Sequence, residues 1–588
     1  MVGMEASQSL TSIATFWEVA RLPGLRAEHP IHRMSDEVTG VGQPLRGLSQ
    51  DPSWIVFEDE DLLVANKPAG WNTHSPSPFA NEGLYDWLRH REPRWAGLGI
   101  VHRLDKETSG LIVFTKTPQA AKSLTEQFMG RQVTKEYLCV AAPRSKDRRW
   151  ECQAAIAKRG DRWACLPGGQ EARTTFQIEE GGPSAGPYTT LRAFPATGRT
   201  HQIRLHAAYL GMPIAGDTLY GGPPGPRLFL HAARLGFVHP SSGSPVEFRS
   251  DPGWRIDAKL AGTQDWRESW RVCPGETDCY RVGTIDSDQT QFSLDRFGPY
   301  LLAQTADGSP EDIRVRLLQD FCSGPDAEPR AVYFKRLLKR PGVAETKQAS
   351  PDCILGTPSA ERFEVRENGL KYLISFSEGY SVGLFLDQRE NRRRWMTGHV
   401  GSGFGRLGVS NADRKPELLN AFAYTCGFSV AAAAGGWRTT SLDLSRKYLE
   451  WGRQNFEINR LHPGDHEFIF GDVFDWLKRW ARRGRMFDGI VLDPPTFSIS
   501  KEHGRFAAEQ DYGKLADAAI RVLAPGGVLF ASTNAARLAP EDFVKTLLAA
   551  ARAHGRTILQ QHYVPQPPDF PIRKEEPGYL KTLWLRFQ

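Results

Sequence analysis

The spacing of apolar and polar positions changes rhythm twice along the chain. From Trp54 to Asn66 (WIVFEDEDLLVAN) two short apolar runs flank an acidic turn, which predicts two strands. Lys67-Pro68-Ala69-Gly70 closes them with turn chemistry. Short β-rich runs then continue to about residue 250. One helix stands out over Pro118–Met129, where Ala121, Leu124 and Phe128 recur at helical spacing behind a first-turn proline. This stretch predicts an α+β domain on a mixed sheet. Ser250-Asp251-Pro252-Gly253 stops it, and a polar, Trp-bearing junction follows. A smaller β-rich module is expected over about 277–380, broken by a loop between Arg340 and Ala360.

From about residue 381 strand-like and helical runs alternate. Strands are predicted over Glu417–Ala421, Arg438–Leu442, His466–Phe470, Phe487–Leu492 and Gly527–Ala531. Helices are predicted over Phe428–Ala434, Arg446–Ile458, Phe474–Arg482 and Lys514–Leu523. That order specifies an α/β, Rossmann-like, doubly wound sheet. Ser445 suits the N-cap of the helix on which Leu449, Gly452 and Phe456 share a face. The expected organisation is therefore multidomain: a partly ordered extension (1–50), the α+β domain (51–255), a linker with the small module (256–380) and the α/β domain (381–588).

Composition narrows the class. At 588 residues the chain is too long for one core. Its 40% hydrophobic and 24% charged residues are those of a soluble globular protein. No run reaches the length needed to cross a bilayer, and Met1 to Pro30 lack the apolar stretch of a signal peptide, so a cytoplasmic protein with no membrane partner is expected. The eight cysteines form no CxxC pair and have no histidine cluster beside them, so no metal is expected. A net charge of +6 allows a phosphate-backbone partner without demanding one. Two basic runs, Arg392-Arg393-Arg394 and the cluster Lys478, Arg479, Arg482, Arg483 and Arg485, read as solvated faces.

The first candidate chemistry lies at His102-Arg103-Leu104-Asp105-Lys106-Glu107-Thr108-Ser109-Gly110. An Asp in a Thr/Ser/Gly-rich turn is by itself more often a turn former than a catalyst. The longer string HRLDKETSGLIVFTK, followed by Lys135-Glu136-Tyr137, by GRTHQIRLH at Gly198–His206 and by GMPIAGD at Gly211–Asp217, resembles the RluA class of RNA pseudouridine synthases over about Trp54 to Trp254. The resemblance implies that Asp105 is the carboxylate acting on the target nucleoside and that Arg204 salt-bridges it. It implies that Tyr137 stacks on the flipped base, that Arg103 holds the flipped nucleotide and that Leu205 packs on the base. It also implies that this reaction needs no cofactor. A carboxylate must be ionised to act as nucleophile or base, and a nearby cation favours that state.

The second candidate lies where the predicted parallel strands end. The strand-helix turn NAFAYTCGFS is followed by Asp443, Asp472 and Asp493 at the ends of the next three strands. Such positions face the ligand crevice of an α/β sheet. With FDGIVLDPPTFS and GLFLDQRENR, they resemble class I methyltransferases, and specifically the RlmI/RlmK group acting on ribosomal RNA, over about 277–588. The resemblance implies S-adenosylmethionine as methyl donor. It implies a donor site made of Phe422, Tyr424, Gly427, Asp443, Asp472, Asp493, Gln388 and Arg389, and an acceptor site made of Pro494, Pro495, Phe497 and Asn534. Methylating carbon 5 of a pyrimidine needs a thiolate. Phe530-Ala531-Ser532-Thr533-Asn534 holds no cysteine, and Cys426 reads as a small packed residue in a glycine position. Asp493-Pro494-Pro495-Thr496-Phe497-Ser498 with Ser532-Thr533-Asn534 resembles the guanine N7 branch of the group, and the resemblance implies that acceptor, a lone pair that needs only positioning.

Together these readings give a bifunctional enzyme acting on RNA, with large-subunit ribosomal RNA as expected partner. Two alternatives stay open in the sequence. One is an active synthase whose methyltransferase-like half serves as an RNA-binding or ribosome assembly module. The other is a cytosine or protein methyltransferase.

Overall fold

A computed structural model describes residues 54–588 apart from 144–146, 183, 255–274, 287–290, 306–328, 338–349, 380, 409–413, 501–503, 571 and 573–577. The expected N-terminal extension and most of the expected junction lie outside the described residues.

The acidic turn forms as expected. Asp59 accepts hydrogen bonds from the backbone N–H of Asp61 (2.9 Å) and Leu62 (2.7 Å), and so joins β1 (Ile55–Glu58) to an antiparallel β2 (Leu62–Lys67). These strands open an eleven-stranded mixed sheet. Its path continues through β4 (Ser109–Thr115), β12 (Leu230–Val238), β5 (Thr134–Ala141), β11 (Tyr188–Pro195), β9 (Thr174–Ile178) and β6 (Arg149–Cys152). β3 (Gly99–Ile100), β10 (Ser184–Ala185) and β13 (Pro245–Arg249) pair at its flanks, and β7 (Ile156–Arg159) and β8 (Arg162–Cys165) form a separate hairpin. β4, buried along all seven residues, runs parallel to β12 and antiparallel to β2. Helix α1 (Leu84–Arg91) packs on the Trp54, Trp71 and Trp87 cluster.

The next helix, α2 (Pro118–Met129), has the predicted bounds, and the Thr117 side chain caps Ala120 N–H. Its buried face is Ala120, Leu124 and Gln127, one residue away from the expected Ala121, Leu124 and Phe128. The cause is Gln127: its amide donates to Val238 O and accepts from Val238 N–H, both at 2.8 Å, so a polar residue closes the end of β12.

The middle sheet holds β14 (Cys279–Asp286), β15 (Gln291–Phe297), β16 (Tyr300–Thr305), β17 (Ala331–Arg336) and β18 (Asp352–Gly356). β18 falls inside the stretch expected to be a loop. Pairing with β17 recruits it as an edge strand despite its turn-rich surroundings. A hairpin of β19 (Phe363–Glu367) and β20 (Leu370–Ile374) follows. This module has no core of its own on that side. Cys279, Tyr300, Tyr333 and Tyr372 pack in one cluster with Leu384, Cys426 and Phe456 of the last part.

The last sheet has the order β23 (Glu467–Phe470), β22 (Arg438–Asp443), β21 (Glu417–Ala421), β24 (Phe487–Leu492), β27 (Leu523–Thr533), β29 (Lys581–Phe587), β28 (Ile558–Pro565). The first five are parallel, and β29 runs antiparallel to both neighbours. A small hairpin, β25 (Phe497–Ser500) with β26 (Gly504–Ala507), follows β24. The strand order reverses between β21 and β24, and a crevice opens at the carboxyl ends of strands at such a switch point.

One helix overturns a sequence expectation. Helix α4 (Arg389–Thr397; α3 is Gln202–Tyr209) carries Arg392-Arg393-Arg394, yet eight of its nine residues are buried. Arg392 forms two bonds with Glu367 (2.6 and 2.7 Å), Arg393 reaches Glu92 (2.7 Å), and Arg394 donates to Val400 O (3.0 Å). Buried charges persist only when paired, and each partner here is far from its arginine in sequence or lies in a turn. The second basic run behaves as expected: Lys478, Arg479, Arg482 and Arg483 are exposed, whereas Arg485 pairs with Glu467 (2.8 Å). No described helix is long and apolar enough to cross a membrane.

Candidate active sites

Asp105 sits in the turn between β3 and β4. Three clamps fix that turn. Thr73 Oγ1 both donates to Leu104 O (2.8 Å) and accepts from Leu104 N–H (3.1 Å). Gly70 N–H and Lys67 Nζ donate to Lys106 O (2.8 and 3.1 Å). Gly110, at φ +114°, lets β12 approach so closely that any side chain there would strike the Ala232 backbone.

The pocket beside Asp105 draws its walls from distant segments: Arg103 and Leu104, Lys135 and Tyr137 of β5, the loop from Thr197 to Thr200, and Ile203 and Arg204 of α3. Tyr137 is flanked in the sheet by two alanines, Ala193 of β11 and Ala232 of β12, which leave room for its ring. Burial, and then the charge of Asp105, pushes its phenol well above the usual range. Burial also lowers the Lys135 ammonium. Arg103 donates to Thr200 Oγ1 (3.0 Å). Gln202 holds the 197–200 loop: its Oε1 accepts from Thr197 Oγ1 (2.7 Å) and Arg199 N–H (3.0 Å).

Two expected roles change in this pocket. Arg204 does not salt-bridge Asp105. It forms a bidentate pair with Asp217 (2.7 and 2.8 Å). Burial opposes its charge, but Asp217 and, more weakly, Asp105 hold its pKa above the usual value. Leu205 does not line the pocket. The helix turns it into a cluster with Ile156 and Ala172, whereas Leu104, Ile203 and Leu230 line the wall. Successive helical residues turn by about 100°, so Leu205 lies roughly 200° round the helix from Ile203 and faces the opposite side.

In the second half, the turn after β21 holds three non-glycine residues at positive φ: Phe422 (+61°), Tyr424 (+48°) and Cys426 (+63°). Such backbone costs energy and persists only where its surroundings fix it. Tyr424 N–H donates to Asp443 (2.8 Å), Ala423 N–H to Leu442 O (3.0 Å), Tyr424 OH to Ser381 O (3.0 Å) and Thr425 Oγ1 to Gly383 O (2.5 Å). Asp443 also accepts from Ser445 N–H (2.8 Å), and burial raises its pKa. Gly427 opens helix α5 (Gly427–Ala434). Cys426 is fully buried against Gly452 of α6 (Arg446–Ile458), and burial pushes its thiol up to about 12.

Phe422 and Asp472 line a cavity closed by Leu444, Phe474, Phe506 and Lys514. Asp472 also caps α7 (Val473–Arg483), accepting from Phe474 N–H (2.8 Å). Asp493 ends β24. Its Oδ1 accepts from Ser532 Oγ (2.8 Å) and Gln388 Nε2 (3.3 Å), and Gln388 also donates to Ser532 (2.6 Å). Burial raises the Asp493 carboxyl to about 6. Beside it Pro494 is buried, Pro495 exposed and the Phe497 ring half exposed beneath Arg505 (5.1 Å). Thr496 Oγ1 donates to Asn534 Oδ1 (2.6 Å).

Arg389 leaves this site. It is buried, and its guanidinium is taken up by a bidentate pair with Asp569 (2.8 and 2.7 Å). The motif reading missed Tyr512 of α8 (Ala508–Ile520), whose OH accepts from Ser532 N–H (2.9 Å) and lies within donating distance of both Leu492 O (3.1 Å) and Ser532 O (2.9 Å), tying the ends of β24 and β27 together. A lone tyrosine in a helix carries no sequence signal for that role.

Comparison with known proteins divides the chain the same way. Residues 61–209 match the RNA pseudouridylate synthase family and residues 346–586 the S-adenosylmethionine-dependent methyltransferase family. A ribosomal RNA large subunit methyltransferase from Deinococcus radiodurans is 31% identical over 362 residues, 60% of this chain and 83% of the relative. Ribosomal RNA large subunit methyltransferase I from Salmonella newport is 30% identical over 56% of this chain and 78% of its own length. Among solved structures, a SAM-dependent methyltransferase from Streptococcus mutans is 28% identical, with a TM-score of 0.44 over 53% of this chain and 75% of that one. Human RNA pseudouridylate synthase domain containing 1 is 30% identical, with a TM-score of 0.30 over 34% of this chain and 83% of that one.

Proposed function

This chain belongs to the family of ribosomal RNA large subunit methyltransferases and carries an RNA pseudouridylate synthase domain ahead of that part, and we propose that it modifies large-subunit ribosomal RNA twice, forming pseudouridine at one nucleotide and methylating guanine N7 at another. The observation that carries this reading is convergence. Asp105, Tyr137 and Arg204 come from three separate segments and line one pocket.

In that pocket the target uridine enters flipped from its stack, because a recessed carboxylate cannot reach a paired base. Asp105 acts on the nucleoside. The N1–C1′ bond breaks, the base turns and C1′ joins C5; C5 gives up its proton and N1 gains one. Tyr137 stacks on the base, Arg103 holds the displaced nucleotide, and Arg204, fixed by Asp217, supplies positive charge near Asp105. Nothing in this isomerisation requires a cofactor.

At the second site S-adenosylmethionine fits the strained turn and the crevice. Phe422, Tyr424, Gly427, Asp443 and Asp472 would hold it, and when bound it supplies an electrophilic methyl group. Gln388 and Ser532 position Asp493. Pro494, Pro495, Phe497 and Asn534 border the acceptor base. The nitrogen acceptor is favoured because carbon-5 chemistry needs a thiolate. Cys426 is the only cysteine after residue 380, and it is buried and kept protonated.

Nucleoside mass spectrometry tests both halves. Unmodified large-subunit RNA incubated with the protein and isotopically labelled S-adenosylmethionine should yield pseudouridine and labelled 7-methylguanosine. Labelled 5-methylcytidine would refute the guanine assignment, and pseudouridine without any labelled nucleoside would refute the second activity.

A further inference from the structure

The described residues contain one place where three metal-ligand side chains converge, and it lies between the two enzymatic parts. Glu82 and His90 come from the synthase part, at the start and end of α1. His562 comes from β28 of the methyltransferase sheet. Each can offer one ligand atom, and these atoms lie within 4.8 Å of one another. We propose that Glu82, His90 and His562 form a binding site for a divalent transition-metal ion of the zinc class, a clasp between the synthase and methyltransferase parts.

Four observations support the site. First, the Nε2 atom of His562 is buried and has no hydrogen-bond partner. A buried polar nitrogen left unpaired carries a cost that a ligand would remove. Second, the two imidazole centroids lie 4.5 Å apart at 78°. Two imidazoles on one tetrahedral ion, each nitrogen about 2.0–2.1 Å from it, place their centroids about 5 Å apart. Third, space is left beside both rings. A Cβ on Gly401 would come within 2.9 Å of His90 Cδ2 and 3.2 Å of His562 Nε2, so only glycine keeps that side open. Fourth, two imidazoles and one carboxylate form a ligand set that suits zinc and its neighbours and does not suit magnesium or calcium, which prefer all-oxygen shells.

Two groups already use Glu82. His90 Nδ1 lies 2.6 Å from its Oε1, and Arg394 Nη2 lies 3.4 Å from the same oxygen. An arriving ion replaces the first contact and competes with the second. Arg394 keeps its bond to Val400 O (3.0 Å) and so stays in place. Its positive charge weakens the site, and Glu82 offsets that charge.

Docking around the clasp is already polar and specific. Asn81 donates to Gln566 O (3.1 Å) and Phe570 O (3.2 Å), and Arg89 donates to Ser402 Oγ (2.6 Å). The ion would add a strong link to an interface that also carries hydrogen bonds, the Arg393–Glu92 ion pair (2.7 Å) and the Phe79–Tyr563 ring contact.

The test uses the full chain. Protein stripped with EDTA is equilibrated with zinc or cobalt(II), desalted and assayed for metal by mass spectrometry. We expect one ion retained per chain, visible tetrahedral cobalt bands and a melting temperature lowered by EDTA. His562→Ala and His90→Gln should each weaken retention at least tenfold, with helix content unchanged, whereas the exposed-site control His462→Ala should retain the ion. No ion retained by the wild-type chain, or equal retention in His562→Ala or His90→Gln, overturns the proposal. Should those variants fail to fold, the wild-type melt decides: a melting temperature indifferent to EDTA and to added zinc overturns it.

Discussion

Cys426 and Gly452 touch across the turn that borders the donor crevice, so changing Gly452 should disturb that turn from the helix behind it. An added Cβ would lie 2.9 Å from Cys426 Cβ and closer still to its Sγ. Overpacking of a buried site costs about 1–3 kcal/mol, and replacing glycine by alanine in a helix returns about 1 kcal/mol. Gly452→Ala alone should therefore destabilise the domain by roughly 0–2 kcal/mol. Cys426 sits at φ +63°, where a side chain costs about 1–2 kcal/mol relative to a right-handed conformation. Cys426→Gly removes both the thiol and that strain. In the double variant the clash is gone and the helical gain remains. The two changes together should cost less than their sum by about 1–3 kcal/mol, the overpacking that the second change relieves, which falls within the coupling seen for residues in contact. Urea unfolding of all four proteins measures the coupling, and calorimetric titration with S-adenosylmethionine should show weaker binding in Gly452→Ala that recovers in the double variant. Additivity within about 0.5 kcal/mol would refute the contact as the cause.

Other consequences can be checked with the same protein. Asp105→Asn should abolish pseudouridine formation and leave methyl transfer unchanged, read by nucleoside mass spectrometry on one reaction. Asp493 is raised to about 6 by burial, and Ser532 pulls it down; if transfer uses the carboxylate, kcat/KM for methylation should fall as pH drops through about 6, and Ser532→Ala should move that limb to higher pH. An acidic limb that stays put would detach Asp493 from the reaction. Arg389→Met leaves Asp569 as an unpaired buried charge, a loss that costs about 3–5 kcal/mol. Chemical denaturation should register that loss, while the remaining folded protein binds S-adenosylmethionine with unchanged affinity; a large rise in Kd without loss of stability would return Arg389 to the donor site.

Local chemistry was legible wherever the signal was local. The acidic turn at Asp59, the first-turn Pro118, the Ser445 cap and the alternation of strand and helix from residue 417 to 492 appear where the pattern puts them, whereas α8 starts at Ala508 and β27 at Leu523, ahead of the predicted Lys514–Leu523 and Gly527–Ala531. Each depends on residues within one or two turns of one another. The Asp105 loop was legible for a different reason, because a long ordered string of motif residues is specific where a single Asp is not. Side-chain partners were not legible. Arg204 takes Asp217, Arg389 takes Asp569, and three consecutive arginines are buried in α4. A charge run looks the same whether water or a distant carboxylate satisfies it.

The sequence by itself determined the two enzyme classes and the elements that carry them, because periodicity, caps and motif order act over short separations. Only the tertiary structure decided which face Leu205 presents, that the middle module shares its core with the methyltransferase sheet, and that Glu82 and His90 meet His562. Those outcomes depend on which distant surfaces come together to bury apolar area and pair buried charge, and no spacing along the chain records that.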